Sequence, residues 1–443
     1  MKHHGFAPLA LRAPVMVLSL AAAGLSWSPA SAVAQESSLA VLQAAAKANA
    51  GDPGASLALG RALRRAGRAT PALTELRRGV SVSAGPKLRL DVLALLHWEV
   101  ARALIDRHDF AQTMTECHVL GTLPGEAAEG HACAAEAHLL WQRSTEALSE
   151  AAQALAKDPR CYQARLAEGR AYDFAIDAGK SEAAYRAALA IQADGVDAHL
   201  ALGELLAKNG RHDEGAVELR RAVQLDPDGP DALYALGVAL PAGAESLSLL
   251  EHATRERLSF SDAWLAVGNQ QLGAGHVAEA RKAGDEALKA ESGNVAPYLL
   301  LGRVALADNR PDDAIHAGEA ALKLVANSAP AKLLIADGNA KKGEIDLALE
   351  AYQAAWGLDH SDPTPLVHAA EASHAANHET TARAFGMKAV QEFPKWGPAW
   401  AALGDALAAQ GEKPAARDAY QKALAGEGPV DKAAVQHKLS ALQ

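Results

Sequence analysis

The sequence predicts an all-α solenoid of about eleven stacked helix pairs with a C-terminal capping helix. Three observations carry that prediction. Small residues recur in register at Gly169, Gly203, Gly237, Gly268, Gly302, Ala336, Ala370 and Gly404, in steps of 34 residues with one of 31. A period of this length marks a repeat array whose units bury their apolar faces only against neighbours. Within each period, apolar residues follow helical spacing in two stretches divided by a turn. The composition agrees: 49% hydrophobic but only 5% aromatic side chains suit many small helix–helix contacts rather than one large core.

The chain opens on an expected export signal at residues 1–34. Lys2 and Arg12 supply positive charge, Val15–Leu25 is apolar, and small residues at Ala32 and Ala34 mark a cleavage point after Ala34. The apolar run is shorter than the roughly 20 residues a membrane span needs. The mature chain is therefore expected outside the cytoplasm, in the periplasm of a double-membrane bacterium, with no transmembrane segment. Residues 35–51 read as an N-terminal cap or linker, and 52–229 as an N-terminal lobe of repeats. Its first unit, Gly54–Pro86, is separated by extra residues from an atypical second, Ala94–Ala127.

The clearest unit is Val196–Gly229. Leu200, Leu202, Leu205 and Leu206 line its first helix; Asn209-Gly210 breaks it; Ala216, Leu219, Ala222 and Val223 line the second. Asp226-Pro227-Asp228-Gly229 is a stop-and-turn signal. Counting slots from Val196, slot 8 is small, slot 20 is usually Ala, slot 24 is often large (Tyr185, Leu219, Tyr352, Tyr420), slot 27 is nearly always Ala, and Pro159, Pro227 and Pro394 hold slot 32. Gly302 and Ala321 are expected to face neighbouring helices, and Glu218 and Arg221 the outer side. Residues 230–260 form a degenerate unit, three residues short, with Pro241-Ala242-Gly243 where a helix should still run. It reads as a bend or a boundary before a C-terminal lobe at 261–428. Residues 429–443 read as the capping helix, apolar on one side at Val430, Ala434 and Leu442.

Trp400-Ala-Ala-Leu403-Gly404, Leu407, Gly411, Ala416, Tyr420 and Ala423 place an aromatic, Leu-Gly, Ala, a second aromatic and Ala at fixed slots. In this the chain resembles the tetratricopeptide repeat family over roughly residues 52–428. The resemblance implies a right-handed solenoid whose first helices line a concave face. It also implies a non-enzymatic scaffold that binds a protein or peptide along that groove, read together with the export signal as a component of the cell envelope. The alternatives are a structural spacer or self-associating subunit, and a non-catalytic accessory subunit of an envelope polysaccharide or peptidoglycan enzyme. The candidate groove residues are Arg170, Asp173, Glu204, Lys208, Asn269, Arg303, Asp337, Glu371 and Asp405. Their signs are mixed early and acidic late, which favours basic partner segments in the last third.

Three cysteines cannot all pair within one chain. Cys117 and Cys133 fall on helices expected to be neighbours and make the favoured disulfide, with Cys133–Cys161 as the rival and buried free thiols as the third reading. A net charge of -10 and the lack of a basic stripe argue against nucleic acid. No HExxH, Gly-rich phosphate loop, GxSxG or Cys-x-x-Cys occurs. Neither an enzyme nor a cofactor is expected. His374 with His378 and Glu371 has metal-ligand spacing that the expected turn at Asn377 and His378 interrupts, and His131, Cys133 and His138 oppose one another rather than share a clean face.

Overall fold

The computed structural model describes residues 30–83 and 90–442, the first nine of these as backbone alone. The export signal up to residue 29 and the connection at 84–89 lie outside the described residues. Helix α1 (Ala30–Ala48) runs through the expected cleavage position and packs Leu39 and Ala46 on the first repeat. Eleven helical hairpins follow. They are α2/α3 (Pro53–Arg65, Ala69–Ser83), α4/α5 (Leu90–Ile105, Phe110–Thr122), α6/α7 (Ala127–Leu140, Ser144–Lys157), α8/α9 (Tyr162–Phe174, Ala178–Ile191) and α10/α11 (Val196–Lys208, His212–Leu225). Next come α12/α13 (Pro230–Ala239, Ala244–Glu256), α14/α15 (Ser261–Gly273, Val277–Ala290) and α16/α17 (Val295–Ala307, Pro311–Leu324). The series ends with α18/α19 (Ala329–Lys342, Ile345–Leu358), α20/α21 (Thr364–Ala375, Glu379–Glu392), α22/α23 (Gly397–Ala409, Lys413–Ala425) and the capping helix α24 (Lys432–Ala441). Val435 of α24 is buried against Leu403, Leu407 and Tyr420. Among the described residues no helix is long and apolar enough to cross a membrane.

The hairpin turn demands a left-handed residue. Gly210 and Gly411 supply it at φ 79°, and Asn377, which tolerates the conformation, at φ 60°. That turn makes His378 the residue flanking α21 and sends His374 to Glu379 at 2.9 Å, so His374, His378 and Glu371 do not converge.

Packing follows the slots, with one shift. An added Cβ on Gly203 would come 2.6 Å from Leu219, and one on Gly404 2.6 Å from Tyr420, so here slot 8 lets the two helices of one pair meet. In the units beginning at Ser261 and Val295, slot 24 is itself glycine, Gly284 and Gly318. The small slot-8 residue then faces forward: Gly268 lies under Leu300 and Gly302 under Leu334, both on the next first helix. The missing wedge is replaced by a leucine from the following unit. Glu218 corrects another expectation. It is not an idle outer residue, because it bonds His199 Nδ1 at 2.6 Å.

Among the described glycines, an added Cβ would come nearest to backbone at the contact of α5 and α6. A Cβ on Gly130 would stand 2.4 Å from Gly121 Cα and 3.0 Å from the Cys117 carbonyl oxygen. That proximity brings Cys117 and Cys133 to a Cα–Cα distance of 5.3 Å, and they form a disulfide. Gly130→Ala is expected to cost about 1–3 kcal/mol, since backbone rather than a flexible side chain must move. Gly357→Ala, on an exposed stretch of α19 with open space around it, should be neutral or gain up to about 1 kcal/mol. Equal melting shifts in the two variants would refute the close approach.

The short unit is a complete hairpin. Leu240 is extended (φ -81°, ψ 152°) because Pro241 follows it, so α12 stops after ten residues and Pro241-Ala242-Gly243 makes the turn. This unit meets the start of the solenoid. Arg257 bonds Asp231 at 2.7 and 2.8 Å through two nitrogens and donates from Nε to the Arg65 carbonyl oxygen at 3.1 Å. Arg65 in turn bonds Asp226 at 2.8 Å. The first five hairpins thus curl far enough for the α2/α3 turn to dock beside α13.

Candidate functional site

The even-numbered helices of the hairpins form the inner wall. Two cavities open on its N-terminal part. One, of about 150 Å³, lies between Arg64, Trp98, Arg102, Glu136, Arg170 and Asp197. The other, of about 440 Å³, is bordered by Asp173, Phe174, Tyr185, Leu200, Glu204 and Lys208. Charges here are matched. Arg170 bonds Glu136 at 2.7 Å, Lys208 bonds Asp173 at 2.9 Å, and Arg102 faces Asp197 at 3.8 Å. Burial acts to lower the Arg170 value, but Glu136 and Asp197 overcome it and the guanidinium is held above its ordinary range. Burial also lifts the Glu204 carboxyl, only partly offset by Arg170.

Most of these pairs join residues one repeat apart. Glu136 and Arg170, and likewise Asn269 and Arg303, are separated by 34 residues. A residue at slot 9 therefore sits beside slot 9 of the next unit, and the inner wall carries a ladder of cross-unit pairs. Complementary polar residues one period apart, Glu136 with Arg170 and Asn269 with Arg303, are the sequence signal for it.

The acidic residues of the last third are also engaged. Asp337 accepts from the Tyr352 hydroxyl at 2.7 Å and pairs with His368 Nδ1 at 2.8 Å. Asp405 accepts from Tyr420 at 2.7 Å and from Lys438 at 2.8 Å. Glu371 differs: burial raises its carboxyl despite the nearby His368. The acid-rich slot 9 series thus anchors slot 24 tyrosines and the cap more than it offers free charge to a basic segment.

One part of the groove is different. A cavity of about 300 Å³ spans α14, α16 and α18, walled by Leu265, Leu299, Leu300, Leu333, Leu334 and Pro330. Its polar edge is Asn269, Arg303 and Asp337. Arg303 Nη2 donates to Asn269 Oδ1 at 2.5 Å, an amide and not a carboxylate. Desolvation by the surrounding walls holds the Arg303 guanidinium below its ordinary value, and no carboxylate offsets it. The cavity combines an apolar floor with a guanidinium that bonds an amide and makes no ion pair, with Asp337 on the same edge. Such a surface accepts an aliphatic side chain together with an anionic group. Leu300 and Leu334, which cover Gly268 and Gly302, are part of its wall.

Tetratricopeptide repeat profiles match residues 36–87, 196–239, 299–363 and 371–432. The chain belongs to the tetratricopeptide repeat family. Its stacked helical hairpins are the repeat units of that family. No curated protein matches it in sequence. Similar solved structures include yeast Tom70 (TM-score 0.46, 13% identity, covering 88% of this chain and 95% of that one). Pseudomonas aeruginosa PilF has a TM-score of 0.43 and 20% identity, over 47% of this chain and 96% of that one. The Cut9–Hcn1 hetero-tetramer of APC/C has a TM-score of 0.41 and 16% identity, over 93% and 87%. The tetratricopeptide slots explain the aromatics: Trp264, Tyr352 and Tyr420 are buried, and the off-slot Trp356 packs edge-on to Phe393 between units.

Proposed function

We propose that this tetratricopeptide repeat protein is exported and holds a protein or peptide partner along its concave face in the cell envelope. The observation that carries the reading is the α14–α18 cavity, with its apolar floor and Arg303 bonded to the Asn269 amide instead of to a carboxylate. A partner segment fits it with an aliphatic side chain on Leu265, Leu299 and Leu333 and a carboxylate against Arg303 and Asn269. Bidentate geometry suits a guanidinium to a carboxylate. The matched N-terminal cavities contribute shape, and Asp173, Glu204, Lys208, Glu371 and Asp405 border the same face. The signal-like residues 1–34 support export, and the disulfide supports an oxidising compartment.

The test is recovery of partners from the envelope fraction by the mature chain and by Arg303→Glu. Reversing the charge in a desolvated pocket should weaken capture by about 2–5 kcal/mol, which is more than tenfold. Because Arg303 makes no ion pair in the structure, the variant should melt close to wild type. Recovery of the same material by both chains would sink the groove assignment. Fusion of residues 1–40 to a reporter active only outside the cytoplasm tests export separately.

A further inference from the structure

We propose that Asp228, His252 and Glu256 form a binding site for a first-row divalent cation such as zinc, between the turn after α11 and the second helix of the short repeat, beside the seam where the first repeat docks. The three donor atoms lie within 4.8 Å of one another. His252 Nε2 is 3.3 Å from Asp228 Oδ1 and 3.7 Å from Glu256 Oε1. Both separations exceed the roughly 2.7–3.2 Å of an N–H···O hydrogen bond. They bracket the edge of about 3.4 Å expected between ligand atoms set tetrahedrally at roughly 2.0–2.2 Å from one ion.

Other histidines of the chain provide the contrast. His131, His199, His368 and His374 each bond a single carboxylate through Nδ1, at 2.7, 2.6, 2.8 and 2.9 Å. His97 stands 3.4 Å from Glu116, again one carboxylate. Only at His252, among these, does one ring nitrogen face two carboxylates at once. One N–H cannot serve two acceptors well, whereas one lone pair and two carboxylates can share an ion.

The backbone prearranges the set. His252 and Glu256 are one turn apart on α13 and share a face. Asp228 comes from the Asp226-Pro227-Asp228 turn after α11. Glu256 precedes Arg257, which is clamped to Asp231 by two bonds. Asp228 is 62% exposed, so water can complete the coordination shell. Imidazole with two carboxylates is a donor set for zinc or its first-row neighbours rather than for magnesium.

The site has a structural consequence. Asp226, which holds Arg65, lies two residues from Asp228, and Arg257, which holds the Arg65 carbonyl, follows Glu256. An ion joining the turn to α13 ties together the two elements on which the first repeat rests.

Titration of the full folded chain with zinc, read by calorimetry, tests the site against His252→Ala, Glu256→Gln and Asp228→Asn. One zinc equivalent should weaken by at least about tenfold in each, since changes merely behind a ligand already cost about 10–100-fold. His374→Ala should leave that equivalent unchanged, and circular dichroism shows whether the variants fold. Hydrogen exchange at Arg65–Arg68 should slow on adding zinc to the wild type but not to His252→Ala. Equal zinc affinity in the wild type and all three ligand variants, or no binding at all, overturns the site. Binding without altered exchange overturns its coupling to the seam.

Discussion

Replacing Cys117 and Cys133 by serine is expected to destabilise the second and third hairpins by about 3 kcal/mol, the loss estimated for opening a loop of this size. The two residues are 16 apart in sequence, and the bond links α5 to α6 across a hairpin boundary. Opening it frees the unfolded chain and leaves two polar side chains where Ala94, Ala101, Leu120 and Ala134 make an apolar cluster. The third cysteine does not compete. Cys161 is buried, and that burial raises its thiol to about 11, so at neutral pH it is not a thiolate and cannot attack the bond. In a solenoid each unit couples mainly to its neighbours, so the loss should appear as faster hydrogen exchange in α4 to α7 rather than along the whole chain. Cys161→Ser is the control. Superimposable exchange in the presence and absence of reductant would show that the bond contributes nothing.

A second large effect is expected at Glu99. Its side chain is 5% exposed and accepts from Arg61 at 2.8 Å and from Arg64 at 3.3 Å. Burial pushes the carboxyl up, and Arg64, Arg102 and Arg61 together more than reverse this, so it titrates below its ordinary value. Glu99→Gln keeps the shape but leaves three guanidinium groups facing one another. The partners are partly exposed, which reduces the penalty below that of a fully buried pair, and a loss of about 2 kcal/mol is expected. The pH dependence follows from the direction of the shift. A depressed carboxyl stabilises the fold above its unfolded value and loses that contribution as pH falls through its folded value. Wild type should therefore weaken relative to Glu99→Gln only below the ordinary carboxylate range near about 4.3. A constant difference between the two chains from neutral pH to well below that range would show that the charge is not what matters.

Much of the architecture was legible because a repeat multiplies weak signals. One alanine at slot 27 says little, but Ala154, Ala188, Ala222, Ala287, Ala321, Ala355, Ala389 and Ala423 in the same register say that a helix packs tightly there; all eight are fully buried. The turn at Gly210 and the stop at Pro227 were readable from local chemistry alone. Reading failed where the partner of a residue lies outside its own unit. Gly284 and Gly318 depart from the large slot 24, and their effect is to turn Gly268 and Gly302 toward the next repeat. Gly121 and Gly130 fit no slot at all, yet they let α5 and α6 come close enough to bond Cys117 to Cys133. Asp337 and Asp405 are a different case: Tyr352 and Tyr420, which engage them, lie in their own units, on the other helix of the same hairpin.

The sequence by itself determined the helix pairs, their number and the order in which they stack, since periodicity and turn chemistry are local properties repeated many times. Tertiary structure decided which charges remain unmatched, as at Arg303, which carboxylates surround one imidazole, as at His252, and where the solenoid touches itself. Arg65 and Asp226 are 161 residues apart. No pattern within one repeat encodes that meeting, because it depends on the small rotation from each hairpin to the next, summed over the turn of the superhelix.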